Sequence, residues 1–179
     1  MYKTLIRPFL FKLNPESAHQ LTMKMLKIAG SIPFCRSIVR LIFKHEHKNL
    51  SREVFGIRFP NPVGLAGGLD KNGECYNELS DFGFGFVEIG SLTAKPQPGN
   101  PKPRLFRVVK DNAIINRMGI NNNGVSEAIK NINSKHPEVI IAGNIAPNSS
   151  SQGEQVAEDY KTAFSLLYDF VDMFVINIS

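Results

Sequence analysis

Four short apolar runs, each ending in a polar or glycine-rich corner, constrain this chain most. They are "VGLAG" (63–67), "FGFVEIG" (84–90), "VIIAGNI" (139–145) and "MFVINIS" (173–179). Between them, residues 72–81, 124–134 and 153–169 have helical spacing. Buried strands alternating with amphipathic helices predict right-handed β-α-β units and a parallel sheet covered by helices. The corners "AGGLDK", "GSLT", "GNIAPN" and "NIS" put polar groups at successive strand ends, which is how a (β/α)8 barrel builds a site. The predicted fold is therefore α/β, a TIM barrel with about the first four β/α units present. An open flavodoxin-like sheet is the competing architecture. A whole barrel takes about 250 residues, so this chain is expected to supply the first half of one.

Ahead of the strands lies a different unit. In "NPESAHQLTMKMLKIAG" (14–30), Asn14 caps a helix, Pro15 takes its first position, Glu16 lies in the first turn and Gly30 ends it. Ala18, Leu21, Met25, Ile28 and Ala29 share one face. "PFCRSIVRLIFK" follows, with Phe34, Ile38, Leu41 and Ile42 at helical spacing and Arg36, Arg40 and Lys44 opposite. Residues 1–50 hold nine Lys and Arg against Glu16 and Glu46, whereas the rest of the chain carries twelve basic and fourteen acidic residues. The net charge of +5 is thus a property of one segment. The predicted division is an amphipathic helical hairpin over 1–48 and a barrel half over 49–179. The hairpin either packs on the barrel or lies on an anionic membrane surface, apolar face down and cations toward head groups.

Several classes recede. No uncharged apolar run reaches the length of about eighteen residues that a bilayer span needs, and "MYKTLIRPFLFKLNPES" lacks the pattern of a cleaved leader. A basic segment without a recognition motif, on a slightly acidic body, argues against nucleic acid. "KHEH" (44–47) spaces its histidines poorly for one metal and reads as a solvated turn; no metal is expected. Cys35 and Cys75 stand apart, as ordinary thiols of a reducing compartment.

Two loops carry chemistry. "GLAGGLDKNGE" (64–74) is neither a P-loop nor a dinucleotide fingerprint. Read plainly it is a tight strand-to-helix turn with a surface lysine. Read functionally, adjacent small residues let a flat ring approach the backbone, and Lys71 sets a cation beside it. At about 4 Å and an effective dielectric of about 20, unit charges interact by about 4 kcal/mol before desolvation, enough to favour an anion. The second loop is "NRMGINNNG" (116–124). "RLFRVV" and "AIIN" predict a hairpin through "KDN" that delivers Asn116 and Arg117. Amide side chains offer both donor and acceptor to a planar heterocycle.

Together, "GLAGGLDKNGE", "FGFVEIGSLTAKPQPGNPKPRLFR", "INRMGINNNG" and the terminal "NIS" closely resemble the membrane-associated, quinone-linked dihydroorotate dehydrogenases of pyrimidine synthesis, in the same order and with nearly constant spacing along the whole chain. The resemblance implies oxidation of dihydroorotate to orotate with FMN as cofactor and a membrane quinone as acceptor. It places Gly67, Gly68, Leu69, Asp70 and Lys71 in the first flavin loop, with Lys71 also reaching orotate. Ser91 stands at a flavin-side hydroxyl that is threonine in many relatives. Asn116, Arg117, Met118, Gly119 and Ile120 match the substrate loop, although relatives often carry phenylalanine at Ile120. Asn144 matches an asparagine at the flavin, and Asn177 one at the flavin–substrate boundary. His19 and Arg107 match residues of the quinone site. The hairpin becomes the membrane-facing quinone entrance over residues 1–45, and the implied location is peripheral, on the cytoplasmic face of a bacterial inner membrane.

In that pattern a serine base takes the C5 proton and stands one residue after Ser179, so Ser179 itself is not the base. These 179 residues alone are expected to show no turnover, to hold FMN weakly or not at all, and to self-associate through unpaired strand edges. Two alternatives remain: a soluble fumarate- or NAD-linked FMN-barrel oxidoreductase, which would lack the basic hairpin, and a non-catalytic membrane-binding fragment, which would not need Lys71.

Overall fold

The computed structural model describes residues 2–45, 47–132 and 139–179. A π-helical stretch, Tyr2–Ile6, runs into α1 (Arg7–Lys12), then α2 (Pro15–Gly30) and α3 (Pro33–Phe43). Asn14 caps α2 as its sequence predicts: Oδ1 accepts the Ser17 N–H at 2.8 Å. The α1 segment had no sequence signal. It docks through Phe11, whose ring lies between the guanidinium groups of Arg7 and Arg107 at 4.8 and 4.5 Å.

A two-stranded antiparallel hairpin follows, β1 (Arg52–Val54) with β2 (Ile57–Phe59). The central sheet holds β3 (Gly64–Leu65), β4 (Phe86–Leu92), β7 (Ile141–Ile145) and β8 (Met173–Ile176), all parallel and in that spatial order. Each strand is laid beside its predecessor, whereas a flavodoxin-like sheet reverses its order at a switch point. Between β4 and β7 the predicted β-hairpin forms, β5 (Leu105–Val108) with β6 (Ala113–Asn116), closed by Asn112 in the left-handed region at φ 49°; the β1–β2 hairpin had no sequence expectation. The covering helices are α4 (Tyr76–Ser80), α5 (Val125–Ile132) and α6 (Glu154–Leu167); residues 133–134 of the second predicted helix lie outside the described residues.

Strand alternation separates two faces. Val87, Ile89, Ile141 and Ile145 are fully buried against Leu79, Val125, Ile132 and Leu167 of the helices. Glu88 and Asn144 face the other way, toward the barrel interior, and Asn144 Nδ2 donates to Glu88 Oε1 at 2.6 Å. A sheet with apolar residues under helices and polar residues on its concave side is one stretch of a barrel wall.

The helical unit docks differently from its sequence pattern. On α2, Met23 and Leu26 pack toward the core, while Met25 and Ile28 of the predicted apolar face are 60% and 57% exposed. On α3 the arginine face points inward: Arg36 and Arg40 ion-pair with Asp81, whose side chain is only 3% exposed. Phe34 and Leu41 point outward at 73% and 83% exposure. The cations expected at head groups are instead partly spent on holding α3 to the barrel.

Candidate functional site

The corner after β3 is laced to the end of β4: Gly68 N–H donates to Gly90 O at 2.7 Å, and Gly90 N–H to Asp70 O at 3.0 Å. Asp70 is 2% exposed and its carboxylate accepts the Glu74 and Cys75 N–H groups, both at 2.8 Å. Burial pushes its carboxyl above the ordinary range against those two donors. Asp70 therefore shapes the loop from within and does not line the mouth. These bonds also explain why α4 begins at Tyr76 and not near residue 72: the chain from Asn72 to Cys75 wraps the carboxylate first.

Two glycines open the corner. A Cβ on Gly67 would sit 2.5 Å from Glu88 Oε1 and 3.2 Å from Asn144 Nδ2. Gly68 has φ +101°, and nothing lies within 4 Å of where its Cβ would project. Main chain is thus presented bare to the space above the strand ends.

That space is a mouth of about 510 Å³ lined by Gly67, Gly68 and Lys71 of the first corner, Ser91 near the end of β4, Asn116 to Ile120, Asn144 and Asn177. Residues more than a hundred positions apart in sequence share one wall, because the carboxyl ends of the central strands and the end of the β5–β6 hairpin meet there. Asn177 Nδ2 donates to Ser91 Oγ at 2.9 Å, fixing both. Asn144 is 9% exposed, and its Oδ1 has no hydrogen-bond partner among the described residues. A buried carbonyl oxygen left unsatisfied costs about 1–3 kcal/mol, and a ring N–H above the strand ends would relieve it. Lys71 is half-buried; desolvation, then the nearby Arg104 charge, lower its pKa. An anion in the mouth would restore it. Bare main chain, an unpaired acceptor and a desolvated cation suit a flat, hydrogen-bonding, negatively charged pair of ligands.

The loop 116–120 is built, not floppy. Asn116 Oδ1 accepts the Met118 N–H at 2.9 Å, and Ile120 adopts φ 53°. Asn122, 5% exposed, ties the loop to the end of β4: its Oδ1 accepts the Thr93 and Gly124 N–H groups, and its Nδ2 donates to Thr93 Oγ1 and Ile120 O. Asn100 also lines the mouth, donating from N–H to Met118 O and from Nδ2 to Arg117 O. Sequence reasoning assigned no role to Asn100 or Asn122. Asn122 was one of three consecutive asparagines with nothing to single it out.

A second cleft of about 400 Å³ opens between α2 and the same corner, lined by His19, Met23 and Leu69 with Lys71 and Met118. Lys71 and Met118 line both spaces, so the cleft and the mouth are neighbours. Burial, then the Lys71 charge, lower the His19 pKa, keeping the imidazole neutral near pH 7. Arg107 does not line this cleft. Its guanidinium donates to Leu13 O at 2.7 Å and Leu10 O at 3.3 Å. At the far end of the sheet His45 and His47 line a basic cleft with Lys48 and Arg58; Glu46 lies outside the described residues. Among the described residues no group of His, Cys, Asp and Glu could hold a metal ion.

Fold and mouth together define part of the wall of a (β/α)8 barrel, with the candidate site at the strand carboxyl ends. A family model described as dihydroorotate dehydrogenase matches residues 49–179. The chain belongs to the dihydroorotate dehydrogenase family. It is 50% identical over 179 residues to the dihydroorotate dehydrogenase (quinone) of Christiangramia forsetii, covering all of this chain and 52% of that protein. The Methylococcus capsulatus protein of the same name is 41% identical, with coverage of 100% and 51%. The chain spans about half the length of the curated relatives it matches. A crystal structure of DHODH in complex with ferulenol from Eimeria tenella superimposes with a TM-score of 0.78 at 34% identity, over 92% of this chain and 44% of that one. The ligand-free form from the same organism gives 0.77.

Proposed function

We propose that these residues form the cofactor- and substrate-binding half of a site that oxidises dihydroorotate to orotate, with FMN as cofactor and a membrane quinone as acceptor, in UMP synthesis. The observation that carries this reading is the unpaired Asn144 Oδ1 beside the bare Gly67–Gly68 main chain and Lys71. FMN, when bound, supplies the two-electron acceptor for the substrate hydride. Gly67 and Gly68 allow close seating of its ring, Asn144 accepts a ring N–H, and Lys71 offsets negative charge at the rim. Asn116 and Asn177 orient the substrate ring, and Lys71 faces its carboxylate. The His19 cleft, adjoining through Lys71 and Met118, is the proposed quinone approach, with Arg107 bracing α1 at its outer side. The quinone names of the curated relatives support this acceptor over fumarate or NAD.

The side chains lining the mouth include no carboxylate and no imidazole, and the Ser179 hydroxyl donates to Asn177 Oδ1 at 2.6 Å. The other hydroxyl of the mouth, Ser91 Oγ, accepts from Asn177 Nδ2 at 2.9 Å, so both are already engaged, which supports binding without turnover by these residues. The outward Phe34, Leu41 and Ile42 of α3, with the exposed apolar side chains of the Tyr2–Phe11 segment, support peripheral attachment to a membrane through residues 1–45. Among the described residues no helix is long and apolar enough to cross a membrane. The β8 edge, with Ile176 and Ile178 exposed, supports self-association.

Orotate tests the reading because binding it needs no turnover. It should perturb amide resonances of 67–71 and 116–120, and Lys71→Met should weaken it about tenfold. Perturbation elsewhere, or an affinity untouched by Lys71→Met, contradicts the site. A monomeric, yellow preparation of the chain that forms orotate contradicts the binding-only half.

A further inference from the structure

Arg104, at the entry to β5, is 6% exposed and is not among the residues that line the mouth. Its guanidinium nonetheless donates four hydrogen bonds. Nε and Nη2 grip Glu16 at 3.2 and 2.7 Å, a two-pronged pair with the first turn of α2. Nη1 donates to Pro98 O at 2.6 Å and Asn100 O at 3.0 Å. One planar fork thus fixes a helix on one side and the turn 98–100 on the other.

Both the turn and Arg104 itself then hold the substrate loop. Arg104 O accepts the Arg117 N–H at 3.0 Å, Asn100 N–H donates to Met118 O at 2.9 Å, and Asn100 Nδ2 donates to Arg117 O at 2.8 Å. Three consecutive peptide groups of the loop are therefore anchored on residues that Arg104 organises. On the helix side, Glu16 precedes His19 by three positions, nearly one turn, so the same pair sets where His19 enters its cleft.

We propose that Arg104, locked to Glu16, is a positioning residue through which the seating of α2 sets the geometry of the substrate loop 116–120, coupling the helix-side cleft to the mouth. The proposal rests on the reading of the mouth given above. Lysine in its place keeps the charge and reaches Glu16 but cannot bridge helix and turn at once. In solution, Arg104→Lys should keep the chain folded by circular dichroism while hydrogen exchange at the Arg117 amide rises about tenfold and orotate binds about tenfold more weakly. Helix α6 amides should not change. Glu16→Gln, which leaves a neutral acceptor, should move both readouts the same way by less, and the double variant should show no further loss beyond Arg104→Lys. The proposal is overturned if Arg104→Lys or Glu16→Gln lowers thermal stability but leaves the Arg117 amide and the orotate affinity unchanged, the signature of a purely structural bridge. Failure of orotate to bind the unsubstituted chain sinks the reading of the mouth instead, and the Arg117 amide then decides the positioning role alone.

Discussion

Substituting Asp81→Asn isolates what holds α3 on the barrel. The Asp81 carboxylate accepts Arg36 Nε and Arg40 Nε, both at 2.5 Å, and Arg36 Nη2 at 3.1 Å. Burial raises its pKa, but the hydrogen bonds from Arg36 and Arg40 outweigh that and hold it below the usual carboxylate value. Its contribution is thus present above the unfolded pKa of 3.8 and lost as pH falls through the folded value. Breaking a buried pair from one side costs about 3–5 kcal/mol. Here the arginine side chains are 25% and 34% exposed, so water screens part of that. Asparagine also keeps one acceptor, and the net loss should be about 2 kcal/mol, about thirtyfold in a local opening equilibrium. Native-state hydrogen exchange reads this directly. Amides of residues 34–43 should exchange about thirtyfold faster in Asp81→Asn while those of Glu154–Leu167 stay unchanged. Unchanged exchange in α3 with the variant folded would refute the docking argument. Equal acceleration in both helices would show that α3 is part of one global unit.

Two further outcomes follow from buried groups. The Arg104 hydrogen bond, opposed by burial and helped by Lys102, lowers the Glu16 pKa below 4.5, so that pair stabilises above 4.5 and fades as pH falls through the folded value. Glu16→Gln should melt lower than the parent at pH 7, by about 1–3 kcal/mol, and the gap should close on acidification toward pH 3; a gap independent of pH refutes it. Burial pushes the Cys75 thiol up to about 12, whereas Cys35 is only partly buried. Iodoacetamide should therefore label Cys35 and spare Cys75 until the chain unfolds, which peptide mapping by mass spectrometry checks.

The four strands were legible because buried parallel strands are continuous apolar runs ended by polar corners, and the β5–β6 hairpin because "KDN" supplies a left-handed residue. The meeting of Gly67, Gly68, Lys71, Ser91, residues 116–120, Asn144 and Asn177 in one mouth was legible from the same corners and the family resemblance, whereas Leu69 and Asp70 turn away from it. What stayed hidden was set by long-range partners. Helix α2 carries apolar residues nearly all round, so periodicity cannot say whether Met23 or Met25 meets the core. Helix α3 turns its arginines inward only because Asp81, some forty residues on, waits there. Asp70 was indistinguishable from a ligand-facing aspartate until two peptide N–H groups closed on it. Arg104 and Glu16, 88 positions apart, carry no mark of their pairing.

If the corner at Gly67–Lys71, with Asn144 and Asn177, seats a flavin ring, added FMN must be felt there. Titrating the 15N-labelled chain with FMN up to millimolar concentration, followed by amide chemical shifts, tests it even if binding is weak. Shifts should be confined to residues 67–71, 91, 116–120, 144 and 177, and be abolished by Gly68→Val. Shifts centred elsewhere, or surviving Gly68→Val, contradict it.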